Sequence, residues 1–196
     1  MRGSLTLANG AVVTSNTTAL EGGGIYVAAD STLILENGSE ISDYEAVTGT
    51  GGGVSMTGSS QFNMSGGRIE NNIATTFAYG RGIAVANTAT SCTLEGSTFL
   101  KPTNDDDGGD DIYLLWTAEN GFKPITINGE LSEHNNSNKI HITFGVRTTE
   151  LNNTSNFPAN PQILMGLNGQ EGKFAVSILD GTSSATPNSD GTVPRN

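Results

Sequence analysis

Short segments in which apolar and polar residues alternate recur along the whole chain. LTLANGAVV, LILENGSEI, FNMSGGRIE, CTLEGSTFL and ITINGELSE start at Leu5, Leu33, Phe62, Cys92 and Ile125, spaced 28, 29, 30 and 33 residues apart. A second series, GGGIYV, GGGVSM, GRGIAV, GDDIYL and NKIHIT, sets Ile25, Val54, Ile83, Ile112 and Ile140 at intervals of 29, 29, 29 and 28. Period-two alternation marks strands with one buried face, and no 3.6-residue period runs through these repeats. A repeat of this length identifies a stack of similar units.

Between the two series lies a third apolar column, Val13, Ile41, Ile69, Phe99 and Leu131. Each repeat is thus expected to form one coil of three short strands, with equivalent strands pairing from coil to coil at about 4.8 Å. Like residues then pile on like inside. The expected inward columns are Leu5, Leu33, Phe62, Cys92, Ile125, then Leu7, Leu35, Met64, Leu94, Ile127, then Val27, Met56, Val85, Leu114, Ile142. The recurrent glycines suit tight turns, and Asn9, Asn37, Asn71, Asn72 and Asn128 tolerate the same backbone conformations. The expected fold class is all-β: a right-handed, single-stranded parallel β-helix of about five coils, three strands per coil, with an irregular β cap at the C-terminus.

The expected organisation is residues 1–144 as coils, 145–179 as capping strands of the same domain and 180–196 as a flexible tail or linker. ILMGL at 163–167 and KFAVSIL at 173–179 still look like strands. A β-helix end exposes unpaired backbone groups, so a terminal piece that breaks the rhythm reads as a cap.

Composition narrows the function classes. Nine Lys and Arg against 20 Asp and Glu give a formal charge of -11, which repels phosphate backbones and anionic lipid surfaces. No nucleic-acid partner is expected. No apolar run reaches the length of a membrane helix, so no membrane insertion by this segment is expected. With Cys92 as the single cysteine, an intrachain disulfide and a cysteine-based zinc cluster are both excluded. The opening MRGS looks like an appended leader, and the chain is expected to be a fragment of a longer exported protein, extracellular or at the cell surface.

The GGG-I/V repeats and FNMSGGRIENN resemble the right-handed β-helix repeats of spirochaete, especially treponemal, surface proteins and lipoproteins, and more distantly those of chlamydial polymorphic outer-membrane proteins. The resemblance runs from about Leu5 to Leu179 and includes a DIYL strand (Asp111 to Leu114), ITINGEL (Ile125 to Leu131) and KFAV (Lys173 to Val176). It implies a cell-surface or secreted module suspected of adhesion. It supplies no catalytic residues.

Among candidate sites, the acidic run Asn104 to Asp111 stands out. Asp105, Asp106, Asp107, Asp110 and Asp111 offer oxygen ligands of the kind Ca²⁺ takes, but their spacing matches neither an EF-hand loop nor a glycine-rich calcium nonapeptide. A solvated acidic turn is the preferred reading, and no cofactor is otherwise expected. Tyr26, Tyr113 and Trp116 are expected to be exposed and available to stack on sugar rings. The first outward column is Thr6, Ile34, Asn63, Thr93 and Thr126, and the column after the glycines is Tyr26, Ser55, Ala84, Tyr113 and His141. Neither holds a carboxylate. The middle strand offers Glu40, Arg68, Glu70 and Glu130, with Glu40 and Arg68 expected to form a cross-strand ion pair. His134, in the loop SEHNNSN, and His141 lack partners for a triad or a metal pair, and Cys92 reads as a small core residue.

The functional expectation is a non-enzymatic, adhesin-like β-helical scaffold displaying loops to an unidentified protein or glycan on a host or neighbouring cell. The alternative is a carbohydrate-binding or carbohydrate-active β-helix of the pectin-lyase-like type, which for hydrolysis needs two carboxylates about 5 to 9.5 Å apart.

Overall fold

The computed structural model describes residues 3–18, 22–75, 80–101, 111–117, 119–135, 138–145, 161–178 and 182–193. Three sheets run along the stack. The first contains β1 (Ser4–Leu7), β4 (Thr32–Leu35), β7 (Gln61–Met64), β11 (Ser91–Gly96), β14 (Ile125–Leu131) and β16 (Leu164–Met165), in that order. The middle sheet contains β2 (Val12–Thr18), β5 (Glu40–Ala46), β8 (Arg68–Glu70) and β12 (Phe99–Lys101), with β9 (Ile73–Ala74) also paired to β5. The third contains β3 (Ile25–Val27), β6 (Val54–Met56), β10 (Ile83–Val85), β13 (Ile112–Leu115), β15 (Ile140–Gly145), β17 (Phe174–Ile178) and β18 (Thr182–Ala185). Each repeat feeds one strand to each sheet in turn, and every pairing is parallel except that of β17 with β18. The fold is a parallel β-helix.

Four coils supply all three strands. The fifth has strands only in the first and third sheets (β14 and β15), and β16 and β17 begin a sixth. The core follows from the register. Leu5, Leu33, Phe62, Cys92, Ile125 and Leu164 are successive partners in one column, and Leu7, Leu35, Met64, Leu94 and Ile127 in the next. From Leu33 and Leu35 to Ile125 these side chains are at most 1% exposed. Fully burying each aliphatic side chain stabilises by about 1.5–3 kcal/mol, so the columns supply the apolar free energy that holds the coils together.

Two columns differ from expectation. In the middle sheet Ile41 and Ile69 are partnered by Leu100, while Phe99 lies opposite Arg68 on the outer face. STFLK offers two adjacent apolar residues, and a one-residue slip exchanges the faces of a strand. Leu100, 1% exposed, takes the core, and the larger ring lies outside. Leu131 is buried but belongs to the first sheet, opposite Gly96 across a register shift. In the third sheet Ile112 pairs with Ile142 and Leu114 with Phe144, two residues beyond the expected register. A slip of two keeps Ile140, Ile142 and Phe144 all inward, so apolar alternation cannot distinguish the two registers.

The C-terminal residues also join the fold. Within 180–196, expected to be linker-like, β18 pairs antiparallel with β17 and Val193 is 1% exposed.

The glycine triplets are explained by positive φ at their first positions, Gly22 and Gly51, and by close approach at the positions that follow. A Cβ on Gly52 would lie 2.5 Å from the Arg81 carbonyl oxygen and 2.6 Å from that of Ile73, both backbone atoms of the next coil. Here successive turns stack N–H to C=O: Gly23 on Gly51, Gly52 on Gly80, Gly53 on Arg81 and Ile83 on Asp111. Of the five asparagines read as turn formers, only Asn71 has positive φ, at 56°; Gly10 and Gly38 take that conformation beside Asn9 and Asn37.

The two glycine roles separate by mutation. Gly10 has φ 81°, and a Cβ there would meet nothing within 4 Å, so Gly10→Ala is expected to cost about 1–2 kcal/mol through backbone conformation, most of it recovered in Gly10→Asn. Gly52→Ala meets backbone on two sides and is expected to reach or exceed the upper end of the roughly 1–3 kcal/mol typical of overpacking, with Gly52→Asn worse still. Urea unfolding midpoints of the four variants check this.

Candidate functional site on the middle sheet

The three outer faces differ in chemistry. The first sheet presents Thr6, Ile34, Asn63, Thr93, Thr126 and Met165 as successive partners. The third presents Tyr26, Ser55, Ala84, Tyr113 and Thr143; His141, expected in this column, lies opposite Ala175 because of the two-residue slip. Ser55, Ala84 and Tyr113 are buried although they point away from the core. On the middle sheet, the outer face brings Glu40, Arg68 and Phe99 into one row and Ser42, Glu70 and Lys101 into the next, gathering charges of both signs on adjacent strands.

The charges do not pair as expected. Arg68 turns along its own strand to Glu70: Nε donates to Oε1 at 3.1 Å and Nη2 to Oε2 at 2.8 Å. The expected partner, Glu40, instead accepts from Ser42 Oγ at 2.5 Å. Residues two apart share a face of a strand, and Glu70 can present both oxygens to the guanidinium fork. That hydrogen-bonded pairing is the main cause of a raised Arg68 pKa, with burial opposing it. Glu130 is also not in this sheet; it lies on β14, with Lys173 Nζ 3.9 Å away. A carboxylate not singled out from the sequence, Glu95 on β11, accepts from Asn128 at 2.6 Å.

Above Arg68 the row continues as a stack. The guanidinium carbon lies 3.9 Å from the Phe99 ring centroid, and Phe99 stacks on His134 with centroids 5.8 Å apart and 18° between planes. His134 is 2% exposed. Its Nε2 accepts the Leu100 N–H at 3.2 Å, which places the ring proton on Nδ1, 3.0 Å from the Asn138 carbonyl oxygen. The reason lies in the topology: β12 is the last strand of the middle sheet, Phe99 N–H bonds back to Gly67, and Leu100 N–H points to where a fifth strand would lie. An imidazole nitrogen takes the place of the missing carbonyl. Burial is the largest cause of a lowered His134 pKa, with Lys173 acting in the same direction and the Asn138 carbonyl and Glu133 opposing.

Other candidate residues have different settings. Tyr26 is 51% exposed, but Tyr113 and Trp116 are 1% and 5% exposed, so the expected aromatic stacking platform is not formed by these three. Tyr113 donates its hydroxyl to Gly145 O, and Trp116 N–H bonds to the same carbonyl. The Tyr113 hydroxyl thus reaches the coil that stacks on β13, whereas Trp116 packs into the hydrophobic core. Asp105, Asp106, Asp107 and Asp110 lie outside the described residues. Asp111 is buried, and its Oδ2 accepts the His141 N–H at 2.6 Å. Among the described residues no three His, Cys, Asp or Glu side chains group as metal ligands do. Cys92 is fully buried, and burial pushes its thiol up to about 12, so it stays protonated and unreactive at neutral pH.

No family model matches the chain, and no curated protein or solved structure matches it. The geometry alone therefore defines the class, a parallel β-solenoid whose mixed-charge face is tied into its own frame.

His134 makes stability pH-dependent. Its pKa is lowered in the fold, so its contribution is fully present above the unfolded value near 6.5 and declines as pH falls below it, because the unfolded chain takes up the proton first. Thermal melts of the native protein and of His134→Leu are expected to converge as pH is lowered from 7.5 to 5, with the variant less stable at 7.5 by about 1–3 kcal/mol, as expected when the Leu100 N–H loses its acceptor.

Proposed function

We propose that this chain is a non-enzymatic β-helical module of a bacterial surface or secreted protein, a scaffold that displays loops for binding a protein or glycan. The observation that carries this reading is the state of the middle-sheet charges. A hydrolytic pair needs one carboxyl held protonated and another free to act on substrate or water. Glu70 is instead engaged through both oxygens by Arg68, which leaves neither oxygen free to face a substrate or water. The guanidinium is in turn fixed over Phe99, leaving it poorly placed to follow a substrate. Glu40, the other carboxylate in these two rows, accepts from the buried Ser42.

The surface location rests on the repeat resemblance and on chemistry compatible with it: a strongly acidic chain, strands without α-helix among the described residues, and no helix there long and apolar enough to cross a membrane. A stack of near-identical coils holds its inter-strand loops on a rigid frame, the arrangement by which solenoids build extended binding surfaces.

The test is a panel of acidic and neutral polysaccharides, with and without Ca²⁺, read for new reducing ends and for unsaturated products. No turnover is expected, while glycan or protein arrays are expected to yield ligands whose binding survives Glu40→Gln and Glu70→Gln. Turnover that is abolished by Glu70→Gln would make this an enzyme and end the scaffold reading.

A further inference from the structure

An asparagine followed by glycine can be attacked by its own main chain, because glycine leaves the next backbone nitrogen unshielded by a side chain. Asn9, Asn37, Asn120, Asn128 and Asn168 each precede a glycine. Their settings differ. Asn9 and Asn37 occupy matching turns in successive coils, closed by Ala11 N–H to Ala8 O at 2.9 Å and by Ser39 N–H to Glu36 O at 3.1 Å, with φ of 81° at Gly10 and 80° at Gly38. Gly10 N–H donates to Gly38 O of the coil above at 3.0 Å. Gly38 N–H finds no such acceptor among the described residues.

Repeat length explains the difference. Glu40 follows Leu35 by five positions, as Val12 follows Leu7, but in the third coil Arg68 follows Met64, the partner of Leu35, by only four. The turn above Gly38 is one residue short, so no carbonyl meets its N–H. In the fourth coil Phe99 again follows Leu94 by five, and the fuller turn reaches back over the short one: Ser97 Oγ donates to Asn37 Oδ1 at 2.9 Å. Asn37 and Gly38 are both exposed.

We propose that Asn37 is a site of spontaneous succinimide formation, at which the Gly38 nitrogen closes on a side-chain amide polarised by the Ser97 hydroxyl. Hydroxide takes the Gly38 N–H proton, and the nitrogen forms a bond to Asn37 Cγ. Negative charge gathers on Oδ1, where Ser97 donates as an oxyanion-hole group does to a tetrahedral intermediate. The Cγ–Nδ2 bond then breaks, and ammonia leaves with a proton from water, which restores the hydroxide. A second water opens the ring at either carbonyl, giving Asp or isoaspartate. Either product adds a negative charge. Isoaspartate also lengthens the main chain in a turn with no slack, since a Cβ on Gly66 would already lie 2.8 Å from Asn37 Cα.

The other four sites lack one element or another. Gly10 and Gly121 have their N–H groups bonded, to Gly38 O and Thr117 O. Asn128 lies within β14 and gives its amide to Glu95. Asn168 is exposed, but among the described residues no hydroxyl meets its side chain.

Incubation of the folded protein at pH 8.5 and 37 °C, followed by proteolysis and mass spectrometry that separates Asp from isoaspartate peptides, tests this. Asn37 is expected to convert first of the five, at least about fivefold faster than Asn9, the factor one net hydrogen bond at Gly10 gives. Ser97→Ala is expected to slow Asn37 about fivefold, with Asn168 and the circular-dichroism spectrum unchanged. Conversion of Asn9 as fast as Asn37, an Asn37 that stays intact while Asn168 converts, or a rate at Asn37 indifferent to Ser97→Ala would each overturn the proposal.

Discussion

The stack depends on a backbone constraint: every strand N–H and C=O directed along the solenoid axis needs a partner one coil away. A buried amide without one costs about 1–3 kcal/mol, comparable to the gain from burying a whole aliphatic side chain. Where repeats are of equal length the constraint is met automatically, as in the turn ladder from Gly23 and Gly24 through Gly52 and Gly53 to Ile83 and Asp111. Glycine is needed there for two reasons: Gly22, Gly51 and Gly80, which open these turns, have positive φ, and at the positions after them adjacent backbones come too close for a Cβ.

Where repeats differ in length, side chains stand in for absent backbone. Asn72, fully buried, accepts the Tyr44 N–H and donates to the Ile41 carbonyl, bridging the gap between β8 and β9 while β5 runs on beside them. Gln170 accepts from Leu131 N–H and donates to Gly129 O at the end of β14. His134 closes β12, and Asp111 holds the His141 N–H at the start of β15. These residues share no chemistry beyond a polar group of the right reach. Asp111 and His134 look like candidates for function in the sequence, and all four act as parts of the ladder in the fold.

That explains what the sequence made legible. The 29-residue period, the three strands per coil and the columns through Leu33 and Leu35 follow from alternation alone, because burial of one face leaves a period-two trace. Phe99 and Leu100 could not be ranked, since both are apolar and adjacent; the stack of Arg68 and His134 on Phe99 decides it in space. The two-residue slip at Ile140 was equally silent. Arg68 chose Glu70 over Glu40 through side-chain geometry within one strand, which register does not encode. His134 carried no signal of its own: the sequence puts Leu131 in the middle column of the fifth repeat, and only with Leu131 in the first sheet is the edge of β12 left for a polar group to meet.

A frame of this kind separates stability from recognition. The coils fix spacing and direction, while the loops between them can vary in length so long as a side chain completes the ladder. The central claim is that Asn72 and His134 act as backbone surrogates, and native-state hydrogen exchange of single amides tests it most directly. The Tyr44 and Leu100 amides are expected to exchange as slowly as those of neighbouring strand residues, with Asn72→Ala exposing Tyr44 selectively and His134→Ala exposing Leu100 selectively. Rapid exchange of both amides in the native protein, or protection unchanged by the two substitutions, would contradict the account.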